Sequence, residues 1–209
     1  MKAFDIITET DARTLEIGSS VTLKPGGHVT PLAADTLKAR RITVHSGVAE
    51  ASLDGLAPVA PVRALAIGSD HGGVALKAAL RDYLRQKGLS VLDVGTDGPE
   101  SVDYPDIAAQ AARLVARKEV DAAIVIDGAG IGSAIAANKI DGVRAAMCND
   151  KTLARYAREH NGANVLTLGA TLISVDDAKA IVDTWLATPM GEARYLRRLA
   201  KIRALEKTQ

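Results

Sequence analysis

The stretch Ile124–Lys139, "IVIDGAGIGSAIAANK", joins an apolar run to an aspartate and then to three closely spaced glycines. A carboxylate at the end of a buried strand needs a use. Asp127 is placed either to move a proton or to cap the helix that "IGSAIAANK" predicts. The apolar residues 124–126 behind it raise its pKa, whereas the loop amides and the helix N-terminus lower it, and the sequence leaves that balance open. Gly128, Gly130 and Gly132 predict a nest of backbone N–H groups suited to a phosphate or a developing oxyanion, with a plain tight turn as the alternative. As a dinucleotide signature the loop is poor: it reads G-x-G-x-G, opens the third strand–helix unit, and no acid ends the next strand.

Other chemistry-bearing residues fall at comparable places. Asp70-His71 precedes Gly72-Gly73 at the end of another apolar run, where the bland reading is a helix cap beside a surface histidine. His160-Asn161 follows a predicted helix, where a histidine also stabilises the dipole. Arg194 and Arg198 are four apart, on one helix face, and together fork onto a phosphate; a solvated face is the ordinary alternative. Cys148 ends an apolar strand and reads as core packing rather than as a nucleophile.

The elements that must position these residues are regular from Ala64 onward. "ALAIG", "SVLDVG", "DAAIVI", "GVRAAMC" and "ANVLTLG" read as short strands, and helices alternate with them. Gly88 stops the first helix, Pro105 sits in the first turn of the second, and Asp150 caps the fourth. "MGEARYLRRLAKIRALEK" predicts a closing helix. Five strands alternating with helices imply a doubly wound α/β fold with a parallel sheet covered on both faces, whose ligands bind at the carboxyl ends of the strands. The Ala/Pro-rich stretch "VAEASLDGLAPVAPV", residues 48–62, reads as a linker. It divides a small β-rich module, residues 1–60 with the linker, from a main domain over 61–209. In that module "SSVTLKPGGHVTP" predicts a hairpin turning at Pro25-Gly26-Gly27, "PLAADTLKARR" a short helix and "ITVHS" a closing strand.

The bulk numbers exclude several classes. With 26 basic and 25 acidic residues the net charge is +1, which gives no field for nucleic acid. Four Tyr, one Trp and one Phe leave little for base stacking. One cysteine rules out an intrachain disulfide and a cysteine-cluster metal site, and suits a reducing cytoplasm. No apolar run approaches the roughly 18 residues of a membrane helix, and the polar N-terminus is unlike a secretory signal.

The strings "AIGSDHGGVALKAALRDYLRQKG", "DVGTDGPESVDYPDIA", "GIGSAIAANKIDGVRAAMCND", "AREHNGANVLTLGA" and "IVDTWLAT" together resemble the type B ribose-5-phosphate isomerase family, which also contains galactose-6-phosphate isomerases. The resemblance runs in order from Ala64 to Ile202. It implies a Rossmann-like α/β/α subunit, a homodimer or homotetramer with active sites between subunits, and no metal or organic cofactor. It implies that Asp70, His71 and Tyr104 contact the sugar phosphate. The amides of Gly128, Gly130 and Gly132 would hold the enediolate oxygen. His160 would open the sugar ring beside Asn161, and Arg194 and Arg198 would bind the phosphate. Ser133, on the same loop, joins the substrate-binding set.

The chain departs from the family pattern in places. Asp127 stands where relatives have a proton-moving cysteine, or a glycine in the branch whose base is a glutamate six residues later; here that later position is Ser133. Ala129 replaces a hydroxyl residue and Tyr195 a histidine. The expectation is therefore a cytoplasmic aldose–ketose isomerase acting on a small phosphorylated sugar, with Asp127 as base and His160 for ring opening. A non-catalytic sugar-phosphate binder and a dinucleotide-dependent enzyme are the competitors. The N-terminal module resembles a segment at the front of some bacterial microcompartment enzymes, which suggests docking or an oligomerisation appendage.

Overall fold

The computed structural model describes residues 2–46, 55–190 and 192–206. The chain divides into two compact units, Met1–Leu53 and Asp54–Gln209.

The first unit runs β1 (Ala3–Ile7), α1 (Glu9–Thr14), β2 (Ser20–Val29), α2 (Pro31–Ala39) and β3 (Thr43–Ser46), with all three strands parallel in the order β1-β2-β3. Ile7, Leu15, Val21, Leu37 and Ile42 form its core. The expected hairpin is absent. Lys24–Gly27 belongs to one long strand, which bulges where Phe4 pairs with Leu23 but Ile6 pairs with His28. Gly26 sits at φ 76° in that bulge. The Pro-Gly-Gly signal thus marks an irregularity within a strand rather than a reversal, because α1 and α2 already make the crossovers that parallel pairing requires. Helix α1 went unread because six residues carry too little period, although its Thr8/Asp11 capping box is visible in the sequence.

The second unit holds a five-stranded parallel sheet. Its strands are β4 (Ala64–Ser69), β5 (Ser90–Asp93), β6 (Ala122–Asp127), β7 (Ala145–Met147) and β8 (Val165–Gly169), in the order β5-β4-β6-β8-β7. The helices are α3 (Val74–Gln86), α4 (Tyr104–Ala116), α5 (Ile131–Ala137), α6 (Lys151–Glu159), α7 (Val175–Ala187) and α8 (Ala193–Glu206). Strand alternation sorts the core into two layers. Leu65, Ile67, Ile124, Ile126, Leu166 and Leu168 face α3, α6 and α7 around the buried Trp185. Ala66, Ala123 and Val125 face α4 and α5, which contribute Ala108, Ala111, Ala112 and Ala137. The second layer is built from small residues, so α4 lies close to the sheet; a Cβ on Gly68 would sit 2.7 Å from Ile107.

The expected terminators hold. Gly88 ends α3 at φ 84°, Pro105 lies in the first turn of α4, and Asp150 caps α6 through Thr152 and Leu153 amides at 2.7 and 2.9 Å. Cys148 is core, its thiol pushed up to about 12 by burial and by Asp150. Residues 55–62, read as linker, instead pack on the second unit: Leu56 is buried with Leu199 and Ala200 of α8. Residues 48–54 of that stretch lie outside the described residues. Among the described residues no helix is long and apolar enough to cross a membrane.

Candidate active site

The sheet reverses its winding between β4 and β6, and the carboxyl ends of these neighbours form the crevice where ligands of doubly wound sheets sit. Asp70 and Asp127 stand at those two ends. Asp70 N donates to Ile126 O at 3.2 Å, so the two carboxylates leave adjacent positions. Asp70 Oδ1 accepts from the amides of Gly72 and Gly73 at 2.9 and 3.1 Å and caps a single 3-10 turn, His71–Gly73. Its Oδ2 has no hydrogen bond among the described residues. His71 is exposed, and its Nδ1 accepts from Val102 N at 3.4 Å, which ties it to the loop leading to Tyr104.

Asp127 shares the side of β6 that carries Ala123 and Val125, so it points toward the start of α5. Both of its oxygens are taken. Oδ1 accepts from Ala129 N at 2.8 Å and from Gly130 N; Oδ2 accepts from Ser133 N at 2.9 Å and from the Ser133 hydroxyl. Burial is the largest single influence and pushes this carboxyl up, but the Ser133 hydroxyl and the three backbone amides together outweigh it. The pKa falls below the ordinary aspartate value. The balance that the sequence left open is thus decided by the donors.

The glycine loop is held from below. Gly130 adopts φ 78°, and a Cβ there would press on Leu168, Gly169 and Met147. Gly128 O accepts from Thr171 Oγ1 at 2.6 Å, and Gly130 O from Thr167 Oγ1 at 2.7 Å. Gly132 makes room for Tyr104: a Cβ would lie 2.5 Å from that ring. Tyr104, the first residue of α4, therefore lies against the first turn of α5, with 40% of its surface open. Since Ala129 and Gly130 already spend their amides on Asp127, the nest is only partly free for a ligand.

One network at this edge went unread in the sequence. Lys77, fully buried, donates to Asp93 Oδ1 at 2.7 Å and to Asp97 Oδ1 at 2.8 Å, and Arg81 reaches Asp93 Oδ2 at 3.2 Å. It staples the loop after β5, where Gly95 packs on the Ser69 backbone, and so supports the approach to His71 and Tyr104. A lysine amid the apolar face of α3, with one acid ending the next strand and another in the loop after it, was the available signal.

The other expected residues lie elsewhere. Helix α6 starts beyond the carboxyl end of β7 and runs back to the start of β8, so His160 and Asn161 sit at the amino edge of the sheet. About 17 Å of strand separates the two edges. His160 is held between two rings, Tyr156 at 4.8 Å (16° interplanar angle) and Tyr195 at 4.7 Å (32°). Tyr195 in turn underlies both arginines, with the Arg194 and Arg198 guanidiniums 4.9 and 5.8 Å from its ring. Arg194 also donates to the Tyr195 hydroxyl at 2.9 Å and pairs with Glu192 at 2.8 Å; Arg198 is exposed. Asn161 lines a groove of about 390 Å³ with Asn138, Arg144 and Ile202. One chain thus carries two separate groups of candidate residues. Asp70, His71, Tyr104, Asp127, Gly128, Gly130, Gly132 and Ser133 gather at the carboxyl edge, and His160, Asn161, Arg194 and Arg198 at the amino edge.

The fold is a doubly wound α/β sheet with a carboxylate pair and a glycine loop at its switch point and an arginine pair beside a histidine at the other edge, groups suited to a small anionic ligand. The comparisons make the class specific. Residues 65–202 match the Ribose/Galactose Isomerase family, and the chain belongs to that family. It is 41% identical over 145 residues to ribose-5-phosphate isomerase B of Escherichia coli, covering 69% of this chain and 97% of that protein. It is 42% identical over 123 residues to D-erythrulose-4-phosphate isomerase of Pectobacterium atrosepticum, covering 58% of this chain and 81% of that one. The structure of ribose-5-phosphate isomerase B from Clostridium thermocellum superposes with a TM-score of 0.68 at 48% identity, covering 69% of this chain and 97% of that chain.

Proposed function

We propose that the protein interconverts an aldose phosphate and its ketose, ribose 5-phosphate and ribulose 5-phosphate or a close relative, by proton transfer through an enediolate. The carrying observation is the family membership over residues 65–202, a span that includes the arginine pair, the histidine and the glycine loop. Membership in a family of isomerases favours turnover over binding alone. The reaction needs a phosphate anchor, a ring opener, a base and donors for the enediolate. Arg194 and Arg198 anchor the phosphate, His160 with Asn161 opens the ring, and Tyr104 and His71 contact the sugar.

The half-sites of one chain lie at opposite sheet edges, so they serve one substrate only when a second copy brings its amino edge to the carboxyl edge of the first. A homodimer or homotetramer with shared sites follows. Ile131 and Ile135 support it: they lie one turn apart on α5, the helix that meets Tyr104 at Gly132, and are 52% and 59% exposed. The buried lone cysteine suits a cytoplasmic setting.

Two carboxylates compete for the proton-transfer step. Asp127 occupies the position of the relatives' base, but its four donors leave no lone pair for a substrate carbon unless the Ser133 hydroxyl turns away, and its lowered pKa weakens it as a base. The saturated carboxylate supports a capping role more than a basic one. Asp70, with an unoccupied oxygen beside it, is then the better base.

A coupled isomerase assay across four-, five- and six-carbon sugar phosphates tests the activity and ranks the substrates. Absence of turnover on all of them overturns the reading. Deuterium exchange at the substrate's C2, measured in Asp70→Asn and Asp127→Asn, assigns the base to the variant in which exchange vanishes while an inhibitor carrying phosphate still binds.

A further inference from the structure

We propose that residues 55–59 form a strap that sets the position of α8, and that Leu56 is a positioning residue for the phosphate-binding arginines that α8 carries. This rests on the reading of Arg194 and Arg198 as phosphate ligands. The matched family region begins at residue 65, so the strap lies outside it.

The strap is gripped by two arginines that are otherwise hard to explain. Arg158 is fully buried; it donates to Val59 O at 3.1 Å and Ala163 O at 2.9 Å, and lies 4.7 Å over the Trp185 ring. Arg144 donates to Leu56 O at 2.9 Å and Gly162 O at 2.9 Å. Neither guanidinium has a carboxylate within ion-pair distance among the described residues. Burial and the neighbouring Arg144 charge pull Arg158 down to about 10, and burial also lowers Arg144. Burying the Arg158 cation on carbonyls and the Trp185 ring is costly, Arg144 is half-buried with the Glu206 charge acting on it, and one carbonyl that each of them holds belongs to the strap.

The strap then reaches α8. Leu56, 1% exposed, fills a cluster with Leu199 and Ala200, and Met190 and Leu196 pack against it. The turn after His160-Asn161 touches the same elements: a Cβ on Gly162 would lie 2.8 Å from Leu199, 3.2 Å from Met190 and 3.4 Å from Pro58. Strap, α8 and the histidine turn therefore meet at one glycine. Arg198 is one residue from Leu199 and Arg194 is one turn earlier, so a shift of α8 on Leu56 moves both guanidiniums relative to His160.

The test uses the full chain with Leu56→Ala, wild type, and Leu56→Met as the conservative rescue. Readouts are kinetics on ribose 5-phosphate, inhibition by inorganic phosphate, and hydrogen exchange along α8. In Leu56→Ala the KM and the phosphate inhibition constant rise together by about tenfold, since small misplacements of binding groups cost this much or more. The kcat holds within about twofold, α8 exchanges faster, and Leu56→Met restores all three. Unchanged KM and phosphate inhibition, or a fall in kcat with KM unchanged, overturns the strap. Should wild type turn over no sugar phosphate, the isomerase reading fails by itself. The strap is then judged by α8 exchange and by stabilisation with inorganic phosphate, and equality of these in Leu56→Ala and wild type overturns it. If Leu56→Ala does not fold, Leu56→Val carries the same comparison.

Discussion

Ser133 donates both its backbone amide, at 2.9 Å, and its hydroxyl to Asp127 Oδ2. The two residues that the family resemblance singles out as departures from its usual bases thus bind each other. With Ala129 and Gly130 on Oδ1, Asp127 becomes the fastener that fixes the glycine loop to the first turn of α5.

Asp127→Asn turns an acceptor into a donor facing donors. At neutral pH the variant loses about 2–4 kcal/mol of stability, because buried N–H groups are left facing one another. Thermal unfolding reads this directly; an unchanged melting temperature would take the network out of the stability account.

The same pair gives a pH signature. The folded-state pKa of Asp127 lies below its ordinary value, so its contribution is present above the unfolded pKa of about 3.9 and is lost as pH falls through the lower folded value. The gap in melting temperature between wild type and Asp127→Asn is therefore full near neutrality and closes in acid below about pH 4. A gap that stays constant down to acid would mean that ionisation of Asp127 does not carry it.

Arg198→Ala removes one charge-assisted contact to phosphate, a loss of about 1.5–3 kcal/mol. The KM rises roughly 10- to 100-fold, and inorganic phosphate inhibits correspondingly less well. Unchanged values for both would place Arg198 on a solvated helix face.

His160→Ala slows turnover of a furanose-forming pentose phosphate far more than that of a tetrose phosphate, which cannot close the ring through the phosphorylated position. Equal losses on both substrates would assign His160 to packing between Tyr156 and Tyr195 rather than to ring opening.

Chains beginning at Gly55 and at Val62 differ by the strap. The longer keeps Leu56 and the carbonyl acceptors of Arg144 and Arg158; the shorter leaves both guanidiniums short of a partner and loses about 3–5 kcal/mol. Equal denaturation midpoints for the two would show that residues 55–61 are linker after all.

The sequence by itself determined what depends on near neighbours. The short apolar runs at residues 65–67 and 122–126, bounded by turn residues, read as buried strands, and the caps at Asp150, Pro105 and Gly88 act within one helical turn, so their effects are written locally. The family strings added the candidate residues that lie at the two sheet edges. Tertiary structure decided whatever depends on partners distant in the chain. Pro25-Gly26-Gly27 looks like a reversal until β1 and β3 pair alongside β2 and make it a bulge. Residues 55–62 look like linker until Arg144 and Arg158, about 90 residues or more away, supply donors to their carbonyls. The pKa of Asp127 hung on a count of donors that only the folded loop supplies. The separation of the candidate residues into two groups follows from the direction of α6, which carries His160 to the opposite sheet edge from Asp127. Local propensity is a short-range energy. Satisfaction of buried polar groups is a long-range constraint, and here it settled the strap, the bulge and the carboxylate.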